Sequence, residues 1–237
     1  MPKSPFDRFL QHLPRSARIL LDWLIGIAIA VAIVLAIRAW VVTPYAIPTA
    51  SMEPTLHCAP SGVVQPAHPS ASIQPGQNLP SPHQAPVTQS LNGCEGSSFL
   101  GFHFSDRVLV SRLTYDFRSP RRGDIVVFTP PASASQICGH LDTNVLVKRL
   151  IGLPGDKVIE NSGFIYINGK KLNEPYVKPD RRDARSGIWH VPKGHYFFMG
   201  DNRLASCDSR DWGSVPRKAL IGPVFMTYWP PNRISFR

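Results

Sequence analysis

The chain has 237 residues, a formal net charge of +10, 24 prolines and four cysteines. This length provides one folded domain with accessory segments, and so many prolines argue against a helical bundle, because proline removes a helical hydrogen bond. Four cysteines are too few for a disulfide scaffold at this length, but their even number leaves disulfides possible outside the cytoplasm.

The first predicted element is a membrane-spanning helix. From Trp23 to Val42 the only charged residue is Arg38, and twenty helical residues at about 1.5 Å each span the roughly 30 Å of a bilayer core. Arg38 lies near the end of this stretch, where its long side chain can reach the headgroups. The alternative, a cleavable signal peptide, has a shorter apolar region of about 7–15 residues. We therefore expect a cytoplasmic tail at residues 1–18 and a transmembrane helix at residues 19–42.

The charges around this helix predict its orientation. Four basic residues precede the apolar stretch, whereas residues 41–106 contain no Lys or Arg, which places the N-terminus in the cytoplasm and residues 43–237 outside. Residues 1–42 carry a net charge of +3, which leaves +7 on the external part and fits a domain that rests on anionic lipid. Nucleic-acid binding is the other usual interpretation of a pI of about 9.8, but no recognition motif accompanies the charge and the compartment is wrong.

Composition then separates an insertion from a region of strands. Residues 57–98 are rich in Pro, Ser, Gln and Ala, and cannot bury enough apolar surface to offset their ordering entropy, so we expect a mobile insertion. Cys58 and Cys94 lie near its two ends.

The remaining sequence indicates short strands. The segments with this pattern are DRVLVSRL, GDIVVF, NVLVKRLIG, DKVIE, GFIYINGKKL, HYFFMG and ALIGPVFMTYW. Asn168 and Gly169 lie between FIYI and KKL and predict a hairpin turn that needs positive φ. We predict a mainly β external domain, built as a β-sheet or β-barrel-like catalytic domain after one N-terminal transmembrane helix, with no internal repeat.

Ser51 is a candidate nucleophile in the segment PTASMEPTL, although a serine among prolines is more often an ordinary loop residue. A hydroxyl nucleophile needs a base. A histidine-based triad is not indicated, because the sequence has no GxSxG motif and its external histidines lie in the insertion or outside any motif. No metal-ligand spacing is present either, so neither a metal nor a cofactor is expected.

A lysine is the remaining candidate base. An ordinary lysine has a pKa near 10.4, so a lysine base must be desolvated or placed beside other cations. In NVLVKRLIG the alternation of a strand puts Leu146, Lys148 and Leu150 on one face, where aliphatic neighbours can desolvate the amine. The pattern alone does not separate Lys148 from Arg149, and an exposed strand lysine is the simpler interpretation.

Four motifs follow the predicted helix in one order: PTASMEPTL, RRGDIVVF, VKRLIGLPGD and GDNRLASCDSRDWGSVP. Together they resemble the motifs of bacterial type I signal peptidases and cover most of residues 43–56 and 106–230. The resemblance implies a serine endopeptidase of the bacterial cytoplasmic (inner) membrane, with one transmembrane helix and a periplasmic catalytic domain. It also implies the reaction, which is removal of signal peptides from secretory preproteins after small residues in an AxA pattern.

The resemblance implies the roles of the catalytic residues as well. Ser51 matches the nucleophile and Lys148 the general base of a Ser-Lys dyad. Thr49 matches a hydroxyl that joins the Ser51 backbone N–H in the oxyanion hole. Ser206 matches the serine that orients the lysine amine.

Further residues match supporting and substrate-binding positions of the family. The supporting ion pairs are Asp208 with Arg210 and Asp201 with Arg149. The positions that match shallow pockets for small side chains, or that adjoin the nucleophile on the membrane side, are Tyr45, Ile47, Pro48, Met52, Leu56, Leu146 and Val147.

The chain departs from the family pattern in two regions. The insertion at residues 57–98 is far longer than the usual short loop, and residues 157–199 are short for the Gram-negative branch, so we expect only a small accessory β-hairpin region there. The four cysteines allow three full pairings, of which Cys58 with Cys94 and Cys138 with Cys207 is preferred.

Two other classes of function stay open. A related serine-lysine peptidase that matures conjugation pilins would share the dyad, as would the self-cleaving repressors of the DNA-damage response, although the membrane anchor argues against the repressors. A non-catalytic anchored β-domain that binds lipid or a partner strand would explain the charge and the prolines. It would not explain Lys148 together with the GDNR motif.

Overall fold

A computed structural model describes residues 14–58, 94, 97–100, 102–138 and 144–237. The chain divides into two units, Met1–Thr43 and Pro44–Arg237, which are described separately. Most of the predicted cytoplasmic tail and most of the predicted insertion lie outside the described residues.

The first unit contains one long helix, α1, at Arg15–Trp40. Its Arg15–Leu35 stretch has a mean hydropathy of 2.3 and is long and apolar enough to cross a membrane. The transmembrane segment predicted at residues 19–42 overlaps this helix, and its bounds in a membrane stay a prediction. The helix ends at Trp40 because Pro44 disfavours helical backbone at the residue before it, and Val42 already belongs to the first strand.

The second unit is built on an eight-stranded sheet with strand order β1-β4-β13-β5-β6-β11-β12, in which β14 also pairs with β13. Its strands are β1 Val42–Ala46, β4 Arg107–Ser111, β5 Ile125–Phe128, β6 Leu146–Gly152, β11 His195–Met199, β12 Val215–Pro216, β13 Leu220–Trp229 and β14 Ser235–Phe236. The mainly β prediction and the predicted strand segments of this sheet are confirmed.

Apolar cores cover both faces of this sheet. Strand β5 is buried throughout, and its neighbouring residues Val126 and Val127 belong to two different core clusters, because successive side chains of a strand point to opposite faces. Ile47, Met52 and Leu56 pack in the cluster that contains Val127. The segment around Ser51 is therefore attached to the main core.

A second sheet of four strands has the order β10-β7-β8-β9. The strands are β7 Lys157–Asn161, β8 Phe164–Ile167, β9 Lys170–Lys171 and β10 Gly187–His190. Asn168 and Gly169 both have positive φ, 51° and 83°, which confirms the predicted hairpin turn. Residues 157–199, where a small accessory β-hairpin region is predicted, contain these four strands and also β11, which pairs with β6 of the main sheet.

The remaining elements are short. Strands β2 Ser97–Phe99 and β3 Phe102–Phe104 form a hairpin. Three short helices follow: α2 Thr114–Phe117, α3 Ala132–Cys138 and α4 Ser209–Trp212. Disulfides join Cys58 to Cys94 and Cys138 to Cys207, which confirms the preferred pairing.

Candidate active site

Ser51 lies in a single 3-10 turn, Ala50–Met52, that follows the extended chain after β1. Proline at position 48 keeps the preceding backbone extended, and the buried Met52 side chain anchors the end of the turn in the core. Ser51 itself is 6% exposed. The Thr49 hydroxyl oxygen lies 3.2 Å from Ser51 Oγ, so the hydroxyl predicted for the oxyanion hole is adjacent to the predicted nucleophile.

A loop from the other end of the sequence contacts the backbone of this turn. The Asn202 N–H donates to the Ser51 carbonyl at 3.1 Å, and its side-chain Nδ2 donates to the Ala50 carbonyl at 3.2 Å. At Gly200 any β-carbon would collide with the Ser51 carbonyl and the Ser206 hydroxyl, so only glycine permits this approach. The resemblance assigned no role to Asn202; its place in the GDNR motif was the only signal in the sequence.

Lys148 is buried in the middle of strand β6, opposite Val126 of β5, and is only 3% exposed. Leu146 and Leu150 pack in the same core cluster, as strand alternation predicts. Burial lowers the pKa of Lys148 to about 8; the Asp208 carboxylate opposes this shift and the Arg210 charge adds to it. The lysine is thus a desolvated amine rather than an exposed strand lysine.

Ser51 and Lys148 line the same cavity, whose volume is about 100 Å³. Its lining comes from two segments of the chain, residues 45–52 and residues 145–148. The other lining residues are Tyr45, Ala46, Ile47, Pro48, Thr49, Met52, Val145, Leu146 and Val147. Six of the seven residues that match substrate-binding positions therefore border this cavity.

Leu56 is the seventh, and it is not among the lining residues. Its side chain is fully buried in the main core, and its N–H donates to the Met52 carbonyl at 2.9 Å. Sequence alone did not distinguish an apolar core residue from an apolar pocket residue.

Asp208 organises the charged loop, which we define as Gly200–Trp212. Its carboxylate accepts hydrogen bonds from the Ser206 hydroxyl at 2.7 Å and the Gly200 N–H at 3.0 Å. Arg210 donates to it through Nε at 2.8 Å and Nη2 at 2.9 Å. Burial alone would raise the pKa of Asp208, but the charge and hydrogen bonds of Arg210 hold it at about 2. The Ser206 hydroxyl donates its proton to this anion, so its oxygen is free to accept a hydrogen bond from an amine.

Arg210 connects the charged loop to the four-stranded sheet and its connections. Its side chain is fully buried, and Nη1 lies 3.2 Å from Glu160 and 2.6 Å from Asp183. Burial raises the pKa of Glu160, although the Arg210 charge opposes that shift. The predicted pair of Asp208 and Arg210 is thus part of a larger group of charges that sequence reasoning missed.

The second predicted ion pair is also formed. Arg149 Nε and Nη2 lie 2.7 and 2.6 Å from the two carboxylate oxygens of Asp201, and its guanidinium stacks 3.9 Å from the centre of the Tyr176 ring. A third pair, Arg203 with Glu174, is buried beside it and was not predicted. These buried pairs fix the backbone of the charged loop.

The C-terminal residues of the described chain hold the segment just after Ser51. Arg233 Nη2 and Arg237 Nη2 both donate to the Thr55 carbonyl, at 3.2 and 2.9 Å. Arg233 Nε also pairs with Asp106 at 3.0 Å. Among residues 14–58, 94, 97–100, 102–138 and 144–237, no group of three or more His, Cys, Asp or Glu side chains is arranged to hold a metal ion.

The comparison with protein families decides the relationship. The family described as "Signal peptidase, peptidase S26" matches residues 20–74 and 92–229, which is more than half of the chain. The chain belongs to the signal peptidase family S26. A signal peptidase I of Bacillus licheniformis is 32% identical over 225 residues, and the alignment covers 91% of each chain.

Other members of the S26 family align over shorter regions. A probable signal peptidase I-2 of Synechocystis is 40% identical over 131 residues, which is 55% of this chain and 58% of that protein. The chain therefore spans less than two thirds of that relative. A crystal structure of a signal peptidase I from Enterococcus faecalis covers 45% of this chain and 97% of that one at 32% identity, with a TM-score of 0.37 that is too low for a comparison of folds.

Proposed function

We propose that the protein is a membrane-bound serine endopeptidase that removes N-terminal signal peptides from secretory preproteins, with a Ser51-Lys148 dyad as its catalytic centre. One observation carries this proposal: Ser51 and a buried lysine, whose pKa is lowered to about 8, line the same small cavity. A serine hydroxyl is a weak nucleophile until a base removes its proton. A neutral lysine amine supplies that base, and no histidine is required.

The reaction has two halves. Lys148 Nζ takes the Ser51 proton while Oγ attacks the scissile carbonyl, and the same proton then passes to the leaving amine as the C–N bond breaks. An ester joins the signal peptide to Ser51. Lys148, neutral again, deprotonates a water molecule that attacks this ester and releases the signal peptide and the free serine.

Thr49 is suited to stabilise the oxyanion. Its hydroxyl is adjacent to Ser51 Oγ, and with the Ser51 N–H it would supply two donors to the carbonyl oxygen as negative charge develops. A single donor of this kind contributes about 2.7–4 kcal/mol in the transition state.

Ser206 positions the base rather than reacting itself. Its proton is committed to Asp208 at 2.7 Å, so its oxygen can accept a hydrogen bond from the Lys148 amine. Asp208 is in turn held by Arg210. The charged loop therefore sets the orientation of the amine that Ser51 needs.

The cavity suits a substrate strand with small side chains. Its volume of about 100 Å³ is well below the about 300–1,000 Å³ of sites that hold drug-sized ligands. Strand β1 is an edge strand of the sheet, and an extended peptide can add to such an edge through main-chain hydrogen bonds. Cleavage after small residues in an AxA pattern follows from a pocket that discriminates by volume.

The proposed location is the bacterial cytoplasmic membrane, with α1 crossing the lipid and residues 43–237 on the periplasmic side. The apolar side chains of α1 support the crossing, since Trp23 and Leu24 are 70% and 54% exposed. On the external unit, Leu100 and Phe102 of the β2–β3 hairpin are 80% and 68% exposed, which supports contact of this unit with lipid. A reporter enzyme that is active only outside the cytoplasm, fused after Arg237, should be active; activity of a cytoplasmic reporter there would invert the orientation.

Cleavage of a purified secretory preprotein tests the function. Ser51→Ala and Lys148→Ala should each abolish cleavage without unfolding the protein, and the double variant should be no worse, because the two groups act as one unit. Ser119→Ala and Lys157→Ala remove the same groups from exposed positions and should cleave as the parent does. A Lys148→Ala protein with near-parent rate would disprove the dyad.

A further inference from the structure

The Cys138–Cys207 disulfide is attached to the charged loop between two buried residues. Cys207 lies directly between Ser206 and Asp208, which are 5% and 0% exposed and share a hydrogen bond. A residue between two buried neighbours cannot move without displacing one of them. The disulfide is thus directly adjacent in the chain to Ser206 and Asp208, the two groups proposed to orient Lys148.

The other half of the disulfide belongs to the connection that leads to Lys148. Cys138 ends helix α3, in the connection between strands β5 and β6, and Lys148 pairs with Val126 across these two strands. The bond joins residues 69 positions apart, with Cα atoms 6.0 Å apart. It links the strand pair that carries the base to the loop that carries its partners.

Whereas the side chains of Ser206 and Asp208 are firmly bonded, few hydrogen bonds hold the described backbone of residues 205–207. The Ser206 carbonyl accepts one long hydrogen bond, from Arg210 Nη2 at 3.4 Å, and the Ala205 N–H donates to Asn202 at 3.2 Å. Within the described ranges, no hydrogen bond involves the backbone of Cys207. The disulfide to Cys138, rather than a backbone hydrogen bond, therefore ties Cys207 to another part of the chain.

The second disulfide also has one partly exposed cysteine, Cys94, but it differs in the burial and hydrogen bonding of Cys58 and provides an internal control. Cys58 is fully buried, and its N–H donates to Glu53 Oε1 at 3.1 Å, so hydrogen bonding holds this position without the bond to Cys94. Cys138 and Cys207 are partly exposed, which lets a reductant reach them.

We propose that the Cys138–Cys207 disulfide is a positioning element of the active site, which holds Ser206 and Asp208 against Lys148, so that full activity requires the oxidised protein. This inference rests on the proposed peptidase function. Reduction by a dithiol such as dithiothreitol transfers two electrons and two protons. The S–S bond breaks, each sulfur becomes a thiol, and the reductant closes into a cyclic disulfide.

Reduction should change the lysine itself. The charged groups that act on Lys148 are Asp208, Arg210, Asp201 and Asp211, and burial is the largest influence on its pKa. Loosening the loop admits water to the amine and weakens that largest influence, so the pKa of Lys148 should rise from about 8 towards its ordinary value.

The experiment compares three full-length proteins in detergent: the parent, Cys138→Ser/Cys207→Ser and the control Cys58→Ser/Cys94→Ser. We expect the first variant to lose roughly tenfold to hundredfold in kcat, as a displaced catalytic group does, with KM close to the parent's. The control should keep parent kcat. Dithiothreitol should slow the parent and the control alike, reversibly, and leave the Cys138→Ser/Cys207→Ser protein unchanged.

Two further measurements separate positioning from stability. NMR titration of ¹³Cε-labelled lysine should give a pKa of Lys148 near 8 in the oxidised parent. The pKa should be higher in the variant and in the reduced parent. Near-UV circular dichroism reports folding. The proposal would be overturned if the folded variant kept the kcat and the Lys148 pKa of the parent. It would also be overturned if the reduced parent lost activity only to the extent that it lost its near-UV signal. An oxidised parent that cleaves no preprotein would refute the proposed function, whereas the lysine titration would still decide this inference.

Discussion

The segment around Ser51 and the charged loop are held by different forces. The nucleophile segment, Ile47–Leu56, is fixed by apolar burial and backbone hydrogen bonds: Met52 and Leu56 pack in the main core. The charged loop, Gly200–Trp212, buries ion pairs instead, with Asp208 and Arg210 both almost completely inaccessible.

Because of this difference, changes in the two regions should affect stability and catalysis differently. Apolar contacts are non-directional, so the nucleophile segment can lose part of its packing and keep its backbone path. Hydrogen-bonded charges fix direction as well as distance, and breaking one buried pair leaves the partner without compensation. Substitutions in the charged loop should therefore displace the lysine amine and lower the catalytic rate. Substitutions in the core under Ser51 should first lower the stability of the fold.

Among substitutions outside the dyad, the largest effect is expected from Asp208→Asn. The change keeps the shape but removes the charge that faces Arg210 and accepts the Ser206 proton. Breaking a buried ion pair costs about 3–5 kcal/mol, and a misplaced base should lower kcat/KM roughly a hundredfold. Asp180→Asn is the control, because Asp180 is 70% exposed. Preprotein cleavage and thermal unfolding measure both effects; a stable variant with parent kcat/KM would show that the charged loop does not set the geometry of the base.

The pH dependence of kcat/KM sharpens the comparison. Because the proposed base Lys148 would act only when neutral and its pKa is lowered to about 8, kcat/KM should rise about tenfold per pH unit below that value and level off above it. An unburied lysine would place this rise near 10.4 and a histidine base near 6.5. Replacing each histidine in turn should leave the rise in place. A rise that disappears with one histidine would identify a different base.

The smallest effect on rate is expected from Leu56→Ala. Leu56 is fully buried in the main core, so its truncation should cost about 2–5 kcal/mol of stability and lower Tm by several degrees. The kcat and KM of the folded protein should stay near the parent's. Ile188→Ala, at a position 60% exposed, should cost less than about 0.5 kcal/mol. A raised KM with unchanged Tm would support the predicted role of Leu56 in substrate binding instead.

The sequence predicts the parts of this molecule that depend on local pattern. The hairpin turn at Asn168 follows from turn chemistry, and the strand that carries Lys148 follows from alternating apolar residues. Composition alone does not indicate where α1 ends, because apolar residues continue past Trp40 into β1, where Pro44 rather than hydropathy decides the conformation.

The site was predictable only in part. Spacing along the chain does not bring Ser51 and Lys148 together; the resemblance to a family did so. The contacts of Arg210 with Glu160 and Asp183 join residues 50 and 27 positions apart. Such pairs depend on how the two sheets pack, and no local pattern in the sequence encodes them.

The hydrogen bonds to the Thr55 carbonyl have a consequence for the timing of activity during biosynthesis. Their donors, Arg233 and Arg237, lie 178 and 182 positions later in the chain, and Asn202, which holds the Ser51 turn, is also late. In the proposed topology, a chain made from its N-terminus would insert α1 and export Ser51 long before these donors have been synthesised. The proposed nucleophile would then lack these hydrogen bonds throughout translocation, and we expect a newly exported chain to become active only once residues 202–237 have folded onto it.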